Sequence, residues 1–242
     1  MLISMTGSRE GTRLYLTGMT MAPIVTFIGW HDSGKNSLAV QVVSHLKAFG
    51  YKVAVIKSSN EAGILFDTPG TDTDKHRQAG ADSILFVAPD QMVLQTKGSD
   101  LSLNTLVHRF FPDADIVIGE GFKGARRVSK IEVVHDKNQM LRNEVHGVIA
   151  VATDLDIAAE HVFRLDQAEE LAYFIRKRFL LAGRRPENSV SLLVSGKNIP
   201  LKPFVQEVLA GTIVGFIDSL KFADGATEID LRIKLNRSTG TP

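Results

Sequence analysis

The chain contains no cysteine, and this absence excludes disulfides, thiolate zinc sites and cysteine nucleophiles. It fits a reducing compartment, so we expect a cytoplasmic protein. The chain also lacks an excess of charge of either sign: its formal net charge is +1, which argues against a basic nucleic-acid footprint. No apolar run approaches the roughly 18 residues of a membrane span, and residues 1–20 lack the apolar core of a secretory signal. We therefore expect neither nucleic acid nor a membrane as a partner.

The length of 242 residues exceeds the usual domain of about 100–200 residues, so we expect one large domain, or a medium and a small one. Residues 1–21 read as a poorly ordered extension with alternative starts at Met5, Met19 and Met21. Residues 22–182 form the predicted main domain. The Gly183–Ser189 stretch has the composition of a linker, and residues 190–242 remain for a small C-terminal unit.

Short β-branched runs alternate with helical periodicity along residues 22–182. Strands are predicted over residues 24–28, 51–57, 83–88, 92–96, 115–121, 130–134 and 147–153. Helices are predicted from Lys35 to Phe49, from Thr71 to Gly80, from Leu101 to Phe110, and from a cap at Asp166 to Ala182. This order indicates an α/β fold, a P-loop NTPase-like and mostly parallel sheet with helices on both faces. Ligands bind such sheets at the carboxyl ends of the strands.

The C-terminal residues indicate a small α+β unit. A hairpin is predicted near residues 189–201, a helix from Pro203 and a strictly alternating strand over Glu228–Leu235.

A phosphate-binding loop is indicated between the first predicted strand and helix of the main domain. The stretch GWHDSGKNS departs by one residue from the pattern G-x-x-x-x-G-K-[ST]. Its glycines let successive backbone N–H groups point inward, and the lysine reaches the β- and γ-phosphates. The alternative is a glycine-bearing turn with a solvated lysine, but the flanking strand and helix favour the loop. The candidate phosphate-binding residues are Gly29, His31, Asp32, Ser33, Gly34, Lys35, Asn36 and Ser37.

Asn36 stands where the pattern requires a hydroxyl that binds Mg²⁺. An amide oxygen is a neutral and bulkier ligand, and Ser37 points about 100° away around the helix. We expect phosphate binding to be retained and metal binding and hydrolysis to be weakened.

Acidic residues that could serve a metal or the γ-phosphate follow two later segments. Asp67 and Gly70 form a D-x-x-G element, and Glu120 ends an apolar strand. An ordinary turn and a plain strand-end acid are the alternatives. The predicted ligands of a weak Mg²⁺ site are therefore Asn36, Asp67 and Glu120.

Two further pairs are weaker candidates for ligand contact. Arg77 and Lys123 could meet an anion, although solvated charges are the alternative. Thr153 and Asp156 lie where guanine-reading proteins carry N-K-x-D, and only Asp156 matches that pattern. Its carboxylate could accept a bidentate pair of hydrogen bonds from guanine.

With these motifs assembled, the chain resembles the molybdopterin-guanine dinucleotide biosynthesis protein B (MobB) family. The resemblance runs through TFIGWHDSGKNSLA, VAVIKSS, FDTPGTDTDKHRQAGAD, DIVIGEGFK and KIEV, covering about Ile24–Val134. It departs at Asn36, where threonine is usual, and at IKSSN, which lacks the histidines that often follow I-K.

The resemblance implies a homodimeric GTP-binding protein, with GTP and Mg²⁺ as cofactors and ATP less favoured. It also implies at most slow hydrolysis, and an accessory role beside the MobA-like guanylyltransferase that attaches GMP to molybdopterin. A molybdopterin-type ligand is a further expectation. Two alternatives stay open: a P-loop small-molecule kinase or ligase, and a binding module that holds a nucleotide without turnover.

Overall fold

The computed structural model describes residues 3–5, 16–18, 22–64, 66–97, 101–181, 192–194, 197–199 and 201–220. The remainder of the predicted N-terminal extension, the predicted linker 183–189 and the predicted strand Glu228–Leu235 lie outside these residues. The strands are β1 (Ile3–Met5), β2 (Leu16–Gly18), β3 (Ile24–Ile28), β4 (Val53–Lys57), β5 (Ser83–Val87), β6 (Met92–Thr96), β7 (Ile116–Glu120), β8 (Ser129–Val133), β9 (Val148–Ala152), β10 (Val162–Phe163), β11 (Leu192–Val194) and β12 (Lys197–Ile199). The helices are α1 (Lys35–Ala48), α2 (Asp72–Gln78), α3 (Leu103–Phe110), α4 (Ala168–Ile175) and α5 (Pro203–Asp218).

A parallel sheet carries the candidate site. Its strands, counted over the described ranges, follow the order β10-β9-β8-β3-β7-β4, and every neighbouring pair is parallel. β3 lies centrally between β7 and β8, so the chain order reverses there. Ligands of open parallel sheets bind at such a reversal, beyond the carboxyl ends of the strands. The predicted mostly parallel α/β sheet is confirmed.

Alternation of side chains along the strands supplies an apolar surface on each face of the sheet. One face packs against α1 and α4, with a core that includes Phe27, Leu38, Ile118, Val133 and Leu171. The opposite face packs against α3, with a core that includes Ile24, Val107, Val117 and Val128. Helices therefore cover both faces, as predicted.

Capping residues explain where the shorter helices begin. The Thr71 hydroxyl accepts a hydrogen bond from the backbone N–H of Asp74 at 3.2 Å and starts α2, as predicted. The predicted cap at Asp166 is wrong, because Gln167 is the N-cap of α4 and makes no side-chain capping bond. The Asp166 carboxylate instead lies 3.8 Å from Nε of Arg164. α4 ends at Ile175, and a π-helical turn (Arg176–Leu181) continues it.

Residues 59–101 form a compact unit of their own, separate from the remainder of the described chain. This unit contains α2 and the hairpin of β5 and β6, which pair antiparallel as a two-stranded sheet outside the parallel one. The sequence analysis predicted the strands but did not anticipate the separate unit. A strand pattern alone does not indicate which sheet a strand joins.

The C-terminal elements match the predicted hairpin and helix. β11 and β12 pair antiparallel, and α5 has Pro203 in its first turn, where a missing N–H costs nothing. α5 buries Ala210 and Val214. No helix in the described portion of the chain has the length and apolar composition needed to cross a membrane.

Candidate nucleotide site

The loop between β3 and α1 adopts the tight conformation that its glycines allow. A Cβ on Gly29 would lie 2.6 Å from both Ser33 Oγ and the backbone oxygen of Val133, so only glycine fits there. Gly34 has a φ of 82°, in the left-handed region that glycine adopts without strain. Asp32 also has a positive φ, of 56°. Successive turns of this kind point backbone N–H groups into one concavity, which suits an anion.

The start of α1 adds to this anion site. Gly34 is the N-cap and supplies no side-chain acceptor, and the first turn contains no acidic residue. The first N–H groups of a helix lack partners within the helix and carry a partial positive charge. Lys35 places its ammonium 3.0 Å from the backbone oxygen of Trp30, so it folds back across the loop. This arrangement suits an anion, and phosphate binding at the loop stays a prediction.

The other predicted loop residues differ in exposure. Ser33 is buried, and its Oγ has no hydrogen-bond partner among the described residues. His31 and Asp32 are almost fully exposed and pair with each other, Nδ1 to Oδ2 at 2.8 Å. Ser37 is exposed in the first turn of α1. The loop therefore has a buried polar group at Ser33 and an exposed polar rim at His31 and Asp32.

Glu120 lies at the carboxyl end of β7, where its neighbours define a second part of the site. Lys57 ends the adjacent strand β4 and is the register partner of Glu120. Its Nζ lies 3.0 Å from Glu120 Oε2; the Lys57 side chain is 60% exposed and that of Glu120 is 11% exposed. With its amide oriented to satisfy both neighbours, Asn36 donates from Nδ2 to Glu120 Oε1 and accepts at Oδ1 from Lys57 Nζ, each at 3.2 Å. The three side chains form a closed polar network.

The geometry of this network shows whether Asn36 and Glu120, two of the predicted Mg²⁺ ligands, are arranged to bind a metal. Mg²⁺ requires oxygen ligands in an octahedral arrangement at close to 2.0 Å. Asn36 and Glu120 are brought together, but the Lys57 ammonium engages Glu120, and the amide orientation that satisfies both neighbours gives the Asn36 oxygen to the ammonium and its nitrogen to the carboxylate. No cluster of three histidine or acidic residues suited to a metal occurs within the described ranges. Asn36 and Glu120 as arranged with Lys57 do not fit a divalent ion.

Lys123 extends the positive charge around the loop. Its Nζ lies 5.7 Å from the centroid of the Trp30 ring, a cation–π geometry. Lys123 was predicted as an anion contact, and the structure brings it beside the phosphate loop. Trp30 was not predicted, although it is the single tryptophan of the chain and stands inside the quoted motif.

The two predicted base-reading residues have different surroundings after β9. Thr153 is buried, and its hydroxyl accepts from the Leu155 N–H at 3.1 Å, so it serves the turn. Asp156 is exposed on the same loop. β10 follows this loop, and beyond β10 lies Leu165, whose Cδ1 would lie 4.0 Å from a Cβ on Gly34. Leu165 thus approaches the phosphate loop, whereas Asp156 lies on the loop between β9 and β10.

The remaining predicted residues lie in the unit of residues 59–101. Asp67 accepts hydrogen bonds from the N–H of Thr68 at 2.8 Å and the hydroxyl of Thr71 at 3.0 Å. The pKa of Asp67 is lowered, chiefly by a hydrogen bond from Thr73. Its Oδ2 is buried and has no hydrogen-bond partner among the described atoms. Asp67 is thus an ionised carboxylate that organises the start of α2.

Asp74 organises the same turn from the other side. It is 2% exposed, accepts from the N–H of Gly70 at 2.8 Å, and pairs with Arg77. The Gly70 hydrogen bond, followed by the Arg77 bond, lowers the pKa of Asp74. Gly70 has a φ of 90°, which the turn requires. Arg77, predicted as an anion contact, has its guanidinium engaged by Asp74.

Lys57 is the main site residue that the sequence analysis missed. Lys57 shares the sequence feature that identified Glu120, because both are charged residues at the end of an apolar strand. A lysine at the end of a strand is usually solvated. The role of Lys57 follows from the pairing of β4 with β7, which places it opposite Glu120.

Comparisons with known proteins match the part of the chain that carries these residues. The family model for molybdopterin guanine dinucleotide synthesis protein B matches residues 24–154. The Escherichia coli molybdopterin-guanine dinucleotide biosynthesis adapter protein is 30% identical over 171 residues, covering 66% of this chain and 95% of its own. A Methanocaldococcus jannaschii relative, whose name refers to the same adapter class, is 26% identical over 88% of this chain and 98% of its own.

Solved structures show the same fold. A crystal structure of molybdopterin-guanine biosynthesis protein B superposes with a TM-score of 0.55 at 26% identity, covering 64% of this chain and 99% of that one. The Bacillus subtilis MobB structure gives a TM-score of 0.54 at 22% identity, over 65% of this chain and 98% of its own. The region of similarity is thus about as long as those proteins themselves.

Proposed function

Since the chain belongs to the molybdopterin guanine dinucleotide synthesis protein B (MobB) family, we propose that it is a GTP-binding adapter in molybdenum cofactor biosynthesis. In this role it holds the nucleotide for a MobA-like guanylyltransferase that attaches GMP to molybdopterin. The observation that carries the proposal is the phosphate loop, with Gly29 and Gly34 in required conformations and Lys35 folded across it.

The base preference for GTP over ATP rests on Asp156. Its exposed carboxylate lies on the loop that follows β9, at the same edge of the parallel sheet as the loop that follows β3. A carboxylate can accept two hydrogen bonds from guanine N1–H and N2–H₂, whereas adenine offers no such pair. Calorimetric titration with GTP, ATP and molybdopterin tests this preference. Equal affinity for GTP and ATP would contradict it.

We propose further that Mg²⁺ adds little to nucleotide binding and that any hydrolysis is slow. Asn36 supplies no hydroxyl, and its amide is engaged by Glu120 and Lys57. Asn36→Thr is expected to increase the Mg²⁺ dependence of GTP binding, and unchanged dependence would refute this.

The same network favours a second candidate function, a binding module without turnover. A small-molecule kinase or ligase would instead transfer phosphate to a cofactor precursor.

The adapter role is tested by adding the chain to a guanylyltransferase assay. The wild type is expected to increase formation of the guanine dinucleotide. Lys35→Ala should lose this effect because it removes the ammonium over the phosphate loop. Lys52→Ala, at the opposite end of β4 from Lys57, is the control and should retain it. A wild-type chain without effect would refute the adapter role and leave the binding module.

We also propose that the chain is a homodimer, supported by the hairpin of β5 and β6. This ribbon exposes large apolar side chains on both strands: Leu85, Phe86, Val87, Met92, Val93 and Leu94. Contiguous exposed apolar surface marks protein interfaces. Val87→Lys should produce a monomer in sedimentation analysis, whereas Asp90→Asn in the turn should not. The proposed location is the cytoplasm, which cell fractionation can test.

A further inference from the structure

The ends of two neighbouring strands fix an ammonium beside the phosphate loop. Lys57 and Glu120 are the final residues of β4 and β7 and stand opposite each other in the parallel register. The backbone continues this pairing, because the N–H of Ser58 donates to the Glu120 carbonyl oxygen at 3.0 Å. The register of the sheet therefore places the Lys57 backbone beside Glu120, within reach of the ion pair.

Asn36 is suited to this ammonium by its chemistry. An amide both donates and accepts, so it can bridge a carboxylate and an ammonium; with its nitrogen towards Glu120 and its oxygen towards Lys57, both contacts are 3.2 Å long. A hydroxyl has a single oxygen, which binds the metal while its one proton can be donated to a carboxylate, whereas the amide offers a nitrogen and an oxygen to two different side chains. The residue that breaks the nucleotide-binding pattern is thus the one that completes the network with Lys57.

We propose that the Lys57 ammonium is the resident cation of the phosphate site, so that this chain binds a nucleoside triphosphate without a divalent metal. The inference rests on the proposed nucleotide-binding function and specifies its chemistry. An ammonium has three donors. Glu120 Oε2 and Asn36 Oδ1 engage two of them, which leaves one for a phosphate oxygen.

Burial and charge agree with this assignment. The Glu120 side chain is nearly buried and Lys57 is largely exposed, so the carboxylate anchors the ammonium while its charged end reaches solvent. A divalent ion at the same place would have to displace the ammonium or bind beside a like charge. Lys35 and Lys123 supply further positive charge around the loop.

The test is calorimetric titration of GTP into the full chain, once with excess Mg²⁺ and once with EDTA. Three proteins are compared: wild type, Lys57→Met and Lys52→Met. Lys52 lies just before β4 and is exposed, and it contacts Asp115 through its backbone N–H, so its side-chain variant is a matched control. Circular dichroism verifies that each protein is folded.

We expect wild type and Lys52→Met to bind GTP with affinities that differ by less than about threefold between the two buffers. Lys57→Met should lose about tenfold or more in EDTA, the effect of one charge-assisted hydrogen bond, and recover part of it with Mg²⁺. Recovery is expected because Glu120 and Asn36 are then released for the metal. If Lys57→Met fails to fold, Lys57→Met/Glu120→Gln removes both charges and should show the same loss in EDTA.

Wild-type binding that falls tenfold or more in EDTA, with Lys57→Met equal to Lys52→Met, would overturn the inference and leave the proposed GTP binding intact. Absence of GTP binding in both buffers would overturn the proposed function and this inference together.

Discussion

Lys130 is a buried ammonium whose replacement should destabilise the chain by a calculable amount. It is 1% exposed on β8, and its Nζ donates to the backbone oxygens of Ala125 at 2.6 Å, Val128 at 3.2 Å and His146 at 2.9 Å. These three carbonyls come from the segments before and after β8. A single side chain thus ties both segments to the sheet.

Lys130→Met keeps an unbranched side chain of similar length but removes every donor. Three carbonyl oxygens then lose their partner, and each loss costs about 1–3 kcal/mol. The lower end applies because removal of the buried charge relieves its desolvation, so we expect a total of about 3 kcal/mol. With an m-value of about 3 kcal/mol per molar urea, the unfolding midpoint should fall by about 1 M.

The pH dependence of stability provides a second measurement on the same pair of proteins. Burial lowers the pKa of Lys130 from 10.5. The unfolded chain then binds more protons than the folded chain just below pH 10.5, and stability rises with pH there. The wild type should gain stability relative to Lys130→Met as the pH is raised through this window. A variant as stable as the wild type, or a stability difference that narrows with rising pH, would refute the reasoning.

Three other perturbations have defined outcomes. Gly29→Ala should abolish GTP binding in a folded chain, because the new Cβ would lie 2.6 Å from Ser33 Oγ and from the Val133 oxygen; titration beside circular dichroism checks this, and retained binding would contradict it. Arg142→Ala should cost about 3 kcal/mol of unfolding free energy, because it leaves the buried Glu132 carboxylate without its cation. Urea unfolding measures that loss, which should be smaller in Arg142→Ala/Glu132→Gln. The lowered pKa of Asp74 means that its stabilising contribution is present above pH 3.8 and lost as the pH falls below it. Hydrogen exchange in residues 59–101 should show this acid-induced loss, and Asp74→Asn should lack it.

The phosphate loop could be predicted from the sequence because its chemistry is local. Gly29, Gly34 and Lys35 stand at fixed spacing between a strand and a helix, and the structure places them accordingly. Glu120 was also predictable, because the carboxyl ends of parallel strands share one edge of the sheet. The role of Lys57 was not predictable, because it depends on the pairing of β4 with β7, whose Glu120 lies 63 residues further along the chain.

The separate unit of residues 59–101 shows a similar limit. β5 and β6 have ordinary strand composition, and their apolar runs predict burial. In the structure most of these side chains are exposed, so composition indicated apolar surface without indicating what covers it. The wrong prediction of a cap at Asp166 has a local cause. An acidic residue before a helix can either cap it or pair with a nearby cation such as Arg164, and the sequence pattern is the same in both cases.

The register of β4 against β7 links the phosphate site to correct assembly of the sheet. β4 is the last strand of the parallel sheet on its side, and Lys57 stands opposite Glu120 only in the observed alignment. A slip of one residue would turn every β4 side chain to the opposite face and carry the ammonium away from Asn36. Only the aligned chain then offers the complete cradle, and a ligand stabilises the state that it binds. A nucleotide bound at this cradle would therefore shift the equilibrium towards the aligned register of β4.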